Sequence, residues 1–329
     1  MAHNKGSYFD LQVNGYGGVD FNSDTLTADE LNAACQRMAA DGVGGFLATI
    51  ITEHIDTMRS RLSNLARLRA ASPIARQMIY GFHIEGPFIS PEVGYRGAHP
   101  ADAIIPADVD TMKYLLDAAD GLTRLVTLAP EVDTDLALTK MLTDAGVVVS
   151  AGHCNPSYDQ LAAAADAGLS MFTHLGNGCP MLLDRHDNIV QRVLSLSERL
   201  WICFIVDGVH IPFAALGNYI RAAGAQRCIA VTDAIAPAGL GPGRFTLSRW
   251  DLEIGDDMVA RAPDGSHLVG SATTMPLIES HLQESCGLSR LQAATLTMYN
   301  PRRALGLKTT SYPNEPLLTL APDSRSIAS

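Results

Sequence analysis

One feature of this chain restricts its fold more than any other. Eight short apolar runs recur along it, at 8–13, 45–49, 78–84, 125–129, 147–151, 170–173, 200–206 and 228–232. Most read as strands buried on both faces, which is how parallel strands read. The segments between them carry helix signals. Thr27 to Glu30 spells T-x-x-E and Ser157 to Gln160 spells S-x-x-Q, two capping boxes. Leu31, Cys35 and Met38 then keep helical spacing until Asp41-Gly42. Leu138, Met141 and Leu142 do the same before Ala145-Gly146.

Strict β/α alternation predicts a parallel sheet with helical crossovers, and eight units predict a (β/α)₈ barrel in one domain. An open doubly wound sheet is the alternative. It lacks its fingerprint, since Gly15-Tyr16-Gly17-Gly18 after the first run is not G-x-G-x-x-G. The expected division is a barrel over 1–307 and a polar, proline-containing tail over 308–329. Residues 235–265, rich in Gly, Pro and Asp, predict a long loop or hairpin over the barrel mouth.

At 329 residues the chain can bury roughly 75% of its unfolded surface without staples. It is 47% hydrophobic and 18% charged, which excludes intrinsic disorder. A formal charge of −11 argues against nucleic acid or an acidic membrane surface as partner. No apolar run reaches the roughly 18 residues of a membrane span. Six cysteines without a C-x-x-C pair, and no signal-peptide pattern, predict reduced thiols in a cytoplasmic enzyme.

In such a barrel the chemistry sits at the carboxyl ends of the strands. Those ends carry Gln12 and Asn14, then Glu85, His153, His174, His210 and Asp233. Glu85, His153 and His174 make a divalent-metal set that leaves a position open for water. Asp233 is placed to move a proton. The bland reading is a salt-bridged interior network, which is costly without function.

At these residues a resemblance becomes specific. The segments are Asp10-Leu11-Gln12-Val13-Asn14-Gly15, His83-Ile84-Glu85-Gly86-Pro87-Phe88, Gly97-Ala98-His99, and Thr127 through Glu131. They continue with Gly152-His153, Thr173-His174-Leu175, Asp207-Gly208-Val209-His210, Thr232-Asp233-Ala234, Gly270-Ser271-Ala272 and Asn300-Pro301. In this order, from about residue 8 to 307, the chain resembles the N-acetylglucosamine-6-phosphate deacetylases of the amidohydrolase superfamily. The resemblance implies hydrolysis of the acetyl group from an amino-sugar phosphate, with Glu85, His153 and His174 as metal ligands and Asp233 as general base and acid. It implies that His99 meets the substrate carbonyl, and that Ala98, Asn177, Gly178, His210, Leu268, Val269 and Gly270 line the substrate. Arg185, eleven residues after His174, falls at the spacing of a phosphate-binding arginine. It further implies a homodimer and one divalent metal per subunit, zinc before iron, manganese or cobalt.

Three departures qualify it. Gln12 and Asn14 stand where many amidohydrolases carry H-x-H, so one metal is expected, with Gln12 at most a weak or water-mediated contact. Arg185-His186-Asp187-Asn188 and Gly178-Cys179-Pro180 depart from the usual phosphate loop. The family's small β-sandwich domain beside the barrel is expected to be absent, since the first strand begins near Tyr8 and 22 residues follow Leu307. Two other functions stay open: an amidohydrolase acting on an N-acyl substrate without phosphate, and a non-catalytic sugar-phosphate-binding barrel. Cys154 beside His153 is expected to face away from it.

Overall fold

The computed structural model describes residues 7–247, 250–255, 259–261 and 270–307. Eight parallel strands follow one another in sequence order: β1 (Tyr8–Val13), β2 (Val43–Ile51), β3 (Ile79–Glu85), β4 (Thr123–Leu128), β5 (Val148–Ala151), β6 (Met171–Phe172), β7 (Trp201–Ile205) and β8 (Cys228–Val231). β1 coincides with its predicted run, β2 extends two residues further at each end, and the other ends lie within a residue or two of those predicted. Helices lie between them. The two predicted capping boxes open α1 (Ala28–Ala40) and the helix Tyr158–Asp166, and Leu31, Cys35 and Met38 are buried on one face of α1. The fold is the (β/α)₈ barrel, nearly closed by its hydrogen-bonded sheet.

The interior is layered. Phe9, Leu11, Leu47, Leu125, Met171 and Ile229, from five strands, form an apolar plug. Above it runs a polar belt: His83 Nε2, Thr127 Oγ1, Thr173 Oγ1 and Ser150 Oγ are joined at 2.7 Å steps. Ser150 ends the chain by donating to Ala151 O at 3.4 Å. Read back from that carbonyl, the hydroxyls all point one way and His83 Nε2–H is the first donor. Burial lowers the His83 pKa to about 4, so the ring enters the belt neutral.

Between β8 and β1 the ladder is replaced by side chains. Val13 and Ala234 make an isolated parallel bridge. Asp10, fully buried, accepts from Thr232 Oγ1 at 2.6 Å and from the backbone N–H groups of Thr232 and Gln12, each at 3.3 Å. The register of β1 against β2 shifts between Asp10 and Val13, and the carboxylate takes up the Gln12 N–H at that irregularity. Beyond β8, among the described residues, β9 (Gly243–Leu247), β10 (Trp250–Ile254) and β11 (Ala260–Arg261) pair antiparallel, the expected hairpin with one strand added. The predicted tail, 308–329, lies outside the described residues.

Burial pushes the Asp10 carboxyl up to about 7, against the hydrogen bonds that favour its ionised form. The folded protein therefore holds a proton there that the unfolded chain releases near pH 3.8. That stabilisation is complete below the lower value and is lost as pH rises through the upper one. Urea unfolding should show the wild type losing stability relative to Asp10→Asn between about pH 4 and pH 7. Parallel curves would mean that Asp10 does not titrate in this window.

Candidate metal centre and active site

Glu85 is the last residue of β3, and His153 and His174 each lie two residues beyond the ends of β5 and β6. Their polar atoms converge. His174 Nε2 lies 3.1 Å from Glu85 Oε1 and 3.1 Å from His153 Nε2, and His153 Nε2 lies 3.3 Å from the same Glu85 oxygen. All three side chains are buried. Burial opposes charge on Glu85, but His153 and His174 hold its carboxyl well below the usual range. Burial also works against the His174 cation, yet Glu85 raises its pKa overall.

His153 Nδ1 donates to Tyr95 O at 2.9 Å, so Nε2 is the ring nitrogen turned inward and available as a ligand atom. Two imidazole nitrogens and one carboxylate oxygen thus form a triangle with edges of 3.1–3.3 Å. Ligands bound at roughly 2.0–2.1 Å to a tetrahedral zinc stand about 3.3–3.4 Å apart. The triangle fits a single divalent ion. Glu85, His99 and His153 also offer ligand atoms within 4.8 Å of one another. His99 Nε2 approaches His153 Nε2 at 3.3 Å, so His174, close to both other groups, completes the tighter set. Burial, and then the neighbouring His153, lower the His99 pKa to about 3 and keep that ring neutral.

Gln12 points to the same carboxylate from β1: its amide donates to Glu85 Oε2 at 3.0 Å. Its place is therefore behind the metal-facing oxygen, orienting Glu85. Asn14 donates to Asp233 Oδ1 at 2.7 Å, tying the first strand end to the last. Asp233 is buried, and burial followed by the charge of Glu85 raises its pKa. A carboxyl so placed is suited to exchanging protons.

Backbone strain gathers at the same atoms. His153, His174 and Asp233 have φ of 51°, 33° and 48°, a region non-glycine residues seldom occupy. Gly97 and Gly178 clasp the His153 ring. A Cβ on Gly178 would stand 2.8 Å from His153 Nδ1, and one on Gly97 would stand 3.0 Å from Cε1.

The remaining predicted residues are distributed around this centre. Asn177 spends its side chain on His174 O at 3.2 Å. Gly270 sits at φ 55° beside Asp233, and Ser271 N–H donates to Asp233 O at 3.2 Å. Ala98 is exposed. His210 Nδ1 meets Asp207 Oδ2 at 2.5 Å after β7, an acid that the sequence reading did not single out. Cys154 is buried in the apolar shell, away from the triangle as expected. Leu268 and Val269 lie outside the described residues.

Arg185 is exposed, and among the described residues no hydrogen bond or ion pair joins it to the centre. Its loop is nevertheless organised. Asp184 accepts from His186 N–H and Asp187 N–H, while Asp187 binds Arg192 at 2.6 Å. Arg192 also reaches Asn155 Oδ1 and Pro156 O. The loop acids are thereby occupied, and Arg185 has no ion pair among the described residues.

No protein-family model matches the chain. It is 30% identical to an N-acetylgalactosamine-6-phosphate deacetylase of Escherichia coli O157:H7 over 92% of its length and 78% of that protein's. It is 33% identical to the human N-acetylglucosamine-6-phosphate deacetylase, over 92% of this chain and 74% of that one. Among solved structures, the N-acetyl-D-glucosamine-6-phosphate deacetylase of Mycobacterium smegmatis superposes with a TM-score of 0.81 at 32% identity, over 92% and 78% of the two chains. The chain belongs to the N-acetylglucosamine-6-phosphate deacetylase family. The family is one of metal-dependent amidohydrolases with barrel folds, in keeping with the converging donors and strand order seen here.

Substitution Gly178→Ala should displace the His153 ring, because both the φ of 60° and the space beside the ring require glycine. Metal affinity should fall by about tenfold to a hundredfold, as for other losses of ligand orientation. Metal titration of the purified variant measures it. Unchanged affinity would show that the clasp does not set the ligand position.

Proposed function

We propose that the chain hydrolyses the N-acetyl group of N-acetylglucosamine 6-phosphate, giving glucosamine 6-phosphate and acetate. The observation that carries this reading is the metal-sized triangle of Glu85, His153 and His174 with the buried Asp233 nearby. Family membership supplies the substrate class.

A divalent metal held by Glu85, His153 and His174, with zinc best suited to one carboxylate and two imidazoles, would acidify the attacking water and polarise the acetyl carbonyl. Asp233 takes the proton from that water as its oxygen bonds to the acetyl carbon. The same carboxyl returns the proton to the amide nitrogen as the C–N bond breaks, so the amine leaves neutral. Asn14 holds one oxygen of Asp233 in place during both transfers. Gln12 keeps Glu85 turned toward its partners. His99, kept neutral by burial, would donate to the carbonyl oxygen as negative charge develops there.

Arg185 is assigned to the phosphate because the loop leaves its guanidinium unpaired while consuming the adjacent acids. His210, fixed by Asp207, Gly178 and Gly270 complete the substrate side. The similarity to N-acetylgalactosamine-6-phosphate deacetylases favours a second substrate, the galactosamine epimer, for direct comparison. We assign the protein to amino-sugar metabolism as a cytoplasmic homodimer. Among the described residues no helix is long and apolar enough to cross a membrane, and all six cysteines are free.

Acetate release from N-acetylglucosamine 6-phosphate, its galactosamine epimer and N-acetylglucosamine tests the reading. No release from either phosphate ester by the metal-loaded enzyme would overturn it. Replacing Asp233 with Asn should lower kcat by about a thousandfold while the metal stays bound. Arg185→Gln should raise KM for the phosphorylated sugar by about tenfold and leave the unphosphorylated one unchanged. An equal effect on both would remove Arg185 from phosphate recognition.

A further inference from the structure

The Asp10 network at the seam reaches the reacting end of the barrel. Thr232 is the residue before Asp233, and its N–H and Oγ1 are both held by Asp10, at 3.3 and 2.6 Å. The Thr232 hydroxyl oxygen in turn accepts from Ala234 N–H at 3.1 Å. Ala234 O accepts from the N–H groups of Asn14 and Gly15 at 2.7 and 3.1 Å. The residues flanking Asp233 are therefore fixed on both sides, one set of bonds running to β1 and the other to the two residues directly after it. Between them Asp233 sits at φ 48°, where a non-glycine residue stays only if its surroundings hold it.

We propose that Asp10, acting through Thr232, is a positioning residue for the proton transfer: it holds Asp233 in its left-handed conformation, with Asn14 on its carboxyl. Asp10 touches neither the substrate nor the metal-facing atoms. Its oxygens instead join Gln12, which orients Glu85, to Thr232, which precedes Asp233. A single buried carboxylate thus sets the spacing between the general base and the metal-facing carboxylate. The other carboxylates near the centre do not share this role: Glu131 binds Asn155 N–H and Asp207 binds His210.

This inference rests on the proposed deacetylase activity, and its test separates the two. The full-length, metal-loaded enzyme is compared with Thr232→Val, which keeps the shape and removes the hydroxyl, and with Asp10→Ala and Asp10→Asn. An Asn side chain can still accept both backbone N–H groups. For Thr232→Val and Asp10→Ala, kcat should fall by about ten- to a hundredfold, with KM within about threefold of wild type and metal content unchanged. Asp10→Asn should recover most of the lost kcat. Crystal structures of the variants should show Asp233 moved to negative φ or its carboxyl detached from Asn14.

A folded Thr232→Val enzyme with wild-type kcat, or with a raised KM and an unchanged kcat, would overturn the proposal. An unaltered Asp233 in its crystal structure would do the same. If Asp10→Ala does not fold, Thr232→Val decides alone. If the wild type releases no acetate from either phosphate ester, the deacetylase reading fails, and the Asp233 conformation still decides the role of Asp10.

Discussion

The joint between the first and last strands is the contact on which the open end of this barrel depends. Seven neighbouring strand pairs share parallel ladders, but Cys228–Val231 and Tyr8–Val13 meet through one bridge and a buried carboxylate. Side-chain hydrogen bonds replace backbone ones there because β1 carries its irregularity between Asp10 and Val13. The same irregularity lets Gln12 reach Glu85 while Asn14 reaches Asp233. A regular ladder at this position would close the barrel but would give the two amides no common centre to face.

Above the joint, the site is held by layers of different chemistry. The apolar plug fills the base, and the His83–Thr127–Thr173–Ser150 belt satisfies every hydroxyl within it. The metal-facing donors then stand on residues that follow directly: Glu85 two after His83, and His174 one after Thr173. Inward-turning donors cannot be reached from relaxed strand ends, so His153, His174 and Asp233 take left-handed φ values. Glycines at 97 and 178 make room for the His153 ring. The strain is local, and the packed layers beneath it supply the compensation.

Much of this was legible from residue patterns. The apolar runs placed every barrel strand, because a strand buried on both faces leaves a continuous signal. The ends of those runs pointed to Glu85, His153, His174 and Asp233. The place of Gln12 was less readable: its position suggested at most a weak or water-mediated metal contact, and in the structure its amide donates to Glu85. Asp10 and Asp207 stood only inside motif segments, with no role of their own. A carboxylate inside an apolar run was the available clue for Asp10, but its partner Thr232 is 222 residues away. The sequence around Arg185 showed only a departure from the usual phosphate loop; its order rests on Asp184 accepting from backbone N–H groups and on Asp187 pairing with Arg192.

By itself the sequence determined the alternation of strands and helices, the capped helix starts, and which donor types occur at the strand ends. Those follow from short-range periodicity and local hydrogen bonding, which neighbouring residues specify. Tertiary structure alone decided which oxygen of Glu85 faces the histidines, which amide braces which acid, and how an open row of eight strands becomes a ring. These are contacts between residues tens to hundreds of positions apart, and their distances exist only once the seam between β1 and β8 is made.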